Sequence, residues 1–268
     1  MTTRRFLLQL AAIGPMLATA LASQRAVAQS EPRRTYVLVH GSWHGGWCWR
    51  NVADRLRDKG HRVFTPTLTG LGERKHLLSK DVDMERFIQD IVDVLEAEEL
   101  HEVYLVGHSF AGPVVTGVTD RVPERLKRLI FLDAALVRDG QSFLDGLSPE
   151  AREGRIKAVQ EIDGVKVLPV VKASAFGVVE PEQTAWVERR LVPQPFVPYA
   201  SPLKLAHPIG NGLPVTYIRC VQPIYHGMDP SGAYAKAQPG WQYLEIESGH
   251  DAMVIVPEKL TEMLVGVA

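Results

Sequence analysis

Apolar positions along this chain keep two rhythms. "TYVLVH" at 35–40 and "HRVFTPT" at 61–67 are apolar runs of strand length, and the intervening "CWRNVADRLRDKG" spaces its apolar residues as a helix does, stopping at Gly60. That order predicts a βαβ unit. At 83–98, "DMERFIQDIVDVLEAE" sets Phe87, Ile88, Ile91, Val92 and Leu95 on one helical stripe, and "EVYLVG" follows as a buried strand. The series continues with helix "PVVTGVTDRV", strands "LKRLIFLDA", "PVTYIRC" and "WQYLEIE", and helix "PEKLTEMLVGV". Strands alternating with helices predict an α/β fold: a mainly parallel sheet with helices on both faces.

Residues 139–207 break the rhythm. They hold helical fragments, "SPEAREGRIKAVQEI" and "PEQTAWVERRL", and a proline-rich run, "VPQPFVPYASP", without a core strand. We read this segment as a cap inserted into a core made of 32–138 and 208–268. It would cover the carboxyl ends of the strands, where open α/β sheets place their sites.

A chain of 268 residues, 46% hydrophobic, can bury one sizeable core. The formal net charge is −1 and no long run favours one sign, which argues against a nucleic-acid partner. The first 28 residues combine Arg4-Arg5, an apolar stretch and "AVA" at 26–28, the features of a cleaved export signal, here of twin-arginine type with Gln9 where lysine is usual. Its removal takes away three arginines and no acid, moving the formal charge from −1 to −4. A periplasmic or secreted protein without lasting membrane association is expected. Cys48 and Cys220 are too few for a disulfide scaffold and are expected as buried free thiols.

The chemistry concentrates at "LVGHSFAGPVV", 105–115, where an apolar strand runs into Ser109 and then a helix. A serine hydroxyl is a poor nucleophile unless a tight turn exposes it beside a base, with donors ready for the developing oxyanion. Small residues at Gly107 and Ala111 permit such a strained elbow, although Ala111 stands where the usual motif has glycine. His40 and His44 straddle a glycine turn rather than one helix face, so a metal pair is not expected. There is no phosphate loop, dinucleotide fingerprint or H-E-x-x-H, and no cofactor is expected.

"VLVHGSWHGGWCW", "LVGHSFAG", "LDAALVRDGQS" and "SGHDAM" together resemble the α/β-hydrolase branch that contains plant hydroxynitrile lyases, plant methylesterases and bacterial carboxylesterases, over nearly all of residues 34–266. The resemblance implies that Ser109 is the nucleophile and His250 its base. It implies that the backbone N–H groups of Ser42 and Phe110 form the oxyanion hole. His40 and Gly41 line the same pocket or simply shape the turn; Trp43, Trp47 and Trp49 belong to core or pocket wall. Trp186 and Phe196, in the cap, are expected to contact substrate.

The acid is less direct. In the resembling proteins it follows the strand equivalent to "PVTYIRC", but here Pro223 stands at that place. Asp133, ending "RLIFLDA", is the expected substitute because some α/β-hydrolases put the acid there; Asp229 is the alternative, and Asp251, adjacent to His250, should point elsewhere. The reading is a serine carboxylesterase acting on a small, largely apolar ester. Lactone or amide hydrolysis, hydroxynitrile lysis and silent ligand binding are the rivals. Lyases of this branch carry threonine and lysine where this chain has Gly41 and Asp251.

Overall fold

The computed structural model describes residues 32–267; the expected export signal lies outside the described residues. In chain order the strands are β1 (Thr35–Val39), β2 (Arg62–Phe64), β3 (Val103–His108), β4 (Leu126–Leu132), β5 (Gln160–Ile162), β6 (Val165–Leu168), β7 (Gln194–Pro195), β8 (Val215–Cys220) and β9 (Gln242–Ile246). The helices are α1 (Arg50–Asp58), α2 (Met84–Ala97), α3 (Ala111–Arg121), α4 (Pro149–Lys157), α5 (Pro181–Glu188), α6 (Val197–Ala200), α7 (Asp229–Lys236), α8 (Ala252–Ile255) and α9 (Pro257–Gly266).

Six strands form one wholly parallel sheet in the order β2-β1-β3-β4-β8-β9. The first described strand, β1, lies inside the sheet; the chain then steps outward to β2 and crosses back to β3. At such a reversal the loops leaving neighbouring strands diverge and open a crevice at their carboxyl ends. The loop after β1 and the turn after β3 carry Ser42 and Ser109 respectively.

Both faces of the central strands are covered, so β3 and β8 are buried at every position and are mostly apolar. α2 begins at Asp83, whose side chain accepts the Arg86 N–H, and buries Phe87, Ile88, Ile91, Val92 and Leu95 as its stripe predicts. Burying each of these side chains contributes about 1.5–3 kcal/mol.

Within residues 139–207 one helical expectation is replaced by a hairpin. The helix beginning at Pro149 ends at Lys157, and β5 pairs antiparallel with β6 across Asp163-Gly164, both with positive φ, 49° and 78°. Asp-Gly is a two-residue hairpin signal, and it overrides the helical spacing read through Ile162. β7 extends this small antiparallel sheet. Among the described residues no helix is long and apolar enough to cross a membrane. Cys48 and Cys220 are both buried and unpaired.

Candidate active site

Ser109 sits between β3 and α3 at φ 55°, in the left-handed region that non-glycine residues rarely occupy. Two bonds secure the turn: Ser109 N–H donates to the Leu132 carbonyl at 3.2 Å, and the Ser109 carbonyl accepts from Ala135 N–H at 3.0 Å. The backbone also comes too close for larger residues. A Cβ on Gly112 would lie 1.9 Å from the Ala135 carbonyl oxygen, and one on Gly41 would lie 2.8 Å from Ser109 Cβ. Ala111, by contrast, fits fully buried.

Three elements bring three side chains into line. Ser109 Oγ–H donates to His250 Nε2 at 2.8 Å, and His250 Nδ1–H donates to Asp133 Oδ2 at 2.6 Å. A carboxylate only accepts, so the proton of the neutral ring lies on Nδ1 and Nε2 is free to accept. Asp133 follows β4 at φ 41° and is fully buried, while His250 follows β9 and is 2% exposed. Asp229 does not reach His250; it pairs with Arg219 and His226.

Arg219 was not anticipated from the sequence. It lies on β8, donates to Asp133 Oδ1 and Asp229 Oδ1, and donates to the Tyr225 carbonyl at 3.2 Å. The available signal was a charged residue inside the otherwise uncharged strand "VTYIRC". The loop after β8 also places the Tyr225 ring on His250, with centroids 4.1 Å apart.

Phe110 is the N-cap of α3, so its N–H precedes the helix and has no intrahelical partner. Ser42 is held by two contacts: its hydroxyl meets the Tyr199 hydroxyl, and its carbonyl accepts from His44 Nδ1–H at 2.6 Å. Its neighbour Trp43 has φ 63°. Left-handed non-glycine residues at 43, 109 and 133 thus mark the loops after β1, β3 and β4.

Ser42, Ser109 and His250 open on a narrow cavity whose walls include Trp43, Phe143, Phe176, Tyr199, Tyr225 and Met228, with Arg155 from α4 among them. Neither Trp186 nor Phe196, the expected substrate contacts, lines it. Trp186 packs edge-on against Trp47 at 5.0 Å, and Phe196 fixes the start of α6 while its N–H donates to the Lys166 carbonyl. His40 does not line it either: its Nδ1–H donates to the Gly41 carbonyl and its Nε2 accepts from Leu68 N–H, so it shapes the turn. Burial lowers its pKa to about 3 and keeps it neutral. His108 is likewise held to about 3, by burial first and then by His250. A larger open cleft, lined by residues including Trp47, Arg50, Lys75 and Arg190, contains none of the Ser109, His250 and Asp133 side chains.

Residues 36–262 match the model of the alpha/beta hydrolase family. A carbendazim hydrolyzing esterase of Nocardioides sp. (strain SG-4G) is 42% identical over 243 residues, covering 85% of this chain and 97% of that protein. An extracellular α/β-hydrolase from a Paenibacillus species, described as sharing structural and functional homology with tobacco salicylic acid binding protein 2, superposes with TM-score 0.75. It is 26% identical, covering 87% of this chain and 98% of that one. A methylesterase from Arabidopsis shares the fold at TM-score 0.69 and 22% identity, over 87% and 97% of the respective chains. Nearly the whole described chain takes part in these matches, and it belongs to the α/β hydrolase family as a carboxylesterase-like member.

Proposed function

We propose that this hydrolase is a serine carboxylesterase that cleaves a small, largely apolar alkyl or aryl ester through an acyl-enzyme. The observation that carries the reading is the unbroken line of hydrogen bonds from Ser109 through His250 to Asp133. His250 Nε2 takes the Ser109 proton as Oγ attacks the ester carbonyl. Asp133 holds the ring in the required tautomer and stabilises the imidazolium. The Ser42 and Phe110 N–H groups receive the oxyanion, each contributing about 3–4 kcal/mol to the barrier reduction. The imidazolium then protonates the leaving alcohol, and water repeats the sequence on the acyl-enzyme. The aromatic cavity walls favour an apolar acyl or alkyl group.

Two features disfavour cyanohydrin lysis. A threonine at 41 would need its Cβ 2.8 Å from that of Ser109, and position 251 carries a buried carboxylate rather than a lysine. Residues 1–28 support export to the periplasm or beyond, which cell fractionation and N-terminal sequencing of the purified protein would test.

Turnover of p-nitrophenyl esters of graded chain length, with carbendazim added because a relative is named for hydrolysing it, tests the reading. Ser109→Ala is expected to lose ester hydrolysis and fluorophosphonate labelling while keeping its circular dichroism spectrum. Full activity in that variant, or cyanide release from mandelonitrile without ester hydrolysis, would overturn it.

A further inference from the structure

We propose that His44 and Asp251 form a buried ion pair that positions the active site, tying the loop that presents the Ser42 N–H to the loop that presents His250. The inference deepens the esterase reading and rests on it. His44 Nδ1 lies 2.6 Å from the Ser42 carbonyl oxygen, and Nε2 lies 3.0 Å from Asp251 Oδ2. Both partners can only accept, so both ring nitrogens carry protons and His44 is an imidazolium. Burial opposes that charge, and the adjacent Asp251 carboxylate outweighs it, raising the His44 pKa.

Asp251 is covalently next to His250. Its N–H donates to the Phe176 carbonyl at 3.2 Å and its own carbonyl caps α8. Its second carboxylate oxygen, without a hydrogen bond, lies 3.8 Å from His108 Nε2. That same His108 nitrogen donates to the His250 carbonyl at 3.0 Å, and His108 precedes Ser109. The loops after β1, β3 and β9 therefore meet in one cluster whose charged members are 1% exposed or less.

A buried ion pair adds little to stability compared with apolar side chains of similar size, because desolvation offsets its attraction. What it supplies is position: displacing either loop leaves a charge uncompensated in the interior. A neutral His44 has one N–H for two acceptors, so without the Asp251 charge that single donor serves either the Ser42 carbonyl or residue 251, and the link between the two loops is lost. Displacement by about 1 Å near reacting atoms costs on the order of 10²-fold in rate. Neither residue hydrogen-bonds Ser109 or Asp133; both act through Ser42 and His250.

The test combines Asp251→Leu, which can neither donate to nor accept from His44 Nε2, and His44→Gln, singly and together, with nitrogen NMR of the wild-type histidines. At pH 7, above the ordinary imidazole pKa of 6.5, the wild-type His44 is expected to show two protonated ring nitrogens. Each single variant is expected to lose about 10²-fold in kcat, with KM changed less than threefold and the rate of fluorophosphonate labelling falling in parallel. The double variant should lose no more than the worse single one. A neutral His44 in the wild type would overturn the proposal, as would variants that lose melting temperature but keep kcat, or losses confined to KM. The NMR signature and labelling rate need no ester turnover, so they separate failure of this pair from failure of the esterase reading.

Discussion

Arg219 donates to the one oxygen of Asp133 that His250 leaves free. The guanidinium is 6% exposed and the carboxylate fully buried, so the charge of Asp133 is balanced from behind while its other oxygen faces the imidazole. Asp229, half exposed, holds the far side of the same guanidinium. The two carboxylates that compete in the sequence for one role are thus the two ends of one charged chain.

Asp133→Asn is expected to lower kcat by about 10⁴-fold with little change in folding, because the amide no longer enforces the productive tautomer. Asp229→Asn should cost less than tenfold. Arg219→Met, which leaves a buried carboxylate uncompensated, is expected to cost about 3–5 kcal/mol in urea unfolding. Steady-state kinetics on the three variants checks the order, and an Asp229→Asn loss as large as that of Asp133→Asn would transfer the role.

Two glycine substitutions should have opposite signs. Gly112→Ala drives a methyl group to within 1.9 Å of the Ala135 carbonyl oxygen, so the α3–β4 junction must open; a loss of several kcal/mol, at the severe end for point mutants, is expected. Gly154 lies exposed within α4 with nothing within 4 Å of an added Cβ, and Gly154→Ala should stabilise by about 1 kcal/mol. Thermal melting measures both.

Stability should fall as the pH drops below 6.5. His40 and His108 have native pKa values lowered from 6.5 to about 3, so between these limits the unfolded chain binds protons that the folded protein refuses. Each histidine then removes about 1.4 kcal/mol per pH unit. His44, with its raised native pKa, is protonated in both states below 6.5 and adds no slope there; its contribution is lost only as pH rises. Urea midpoints from pH 7 to 4.5 should show the decline, and an unchanged midpoint would place both histidines outside the neutral buried state.

Substrate preference should follow the cavity rather than the cap as a whole. Phe176→Ala and Tyr225→Ala are expected to change relative rates across an ester series, since both rings line the cavity and Tyr225 stacks on His250. Trp186→Ala, whose ring packs on Trp47, should leave the ranking intact and lower the melting temperature. A panel of p-nitrophenyl esters with matched melting curves distinguishes these effects.

The sequence by itself determined the alternation of strands and helices, the stripe on α2 and the elbow at Ser109, because each depends on spacing and small residues within a short window. It also narrowed the partner of His250 to Asp133 or Asp229. Only the tertiary structure chose between their geometries: the register of β4 beside β8 sets Asp133 against His250 and puts Arg219 between the two acids. The joining of His44 to Asp251, 207 residues apart, was equally hidden, since nothing local in either motif encodes their approach. Trp186 and Phe196 show the converse. An aromatic residue in an insertion fits a pocket wall and a packing contact equally well by composition, and only the direction in which its backbone element presents it decides which it becomes.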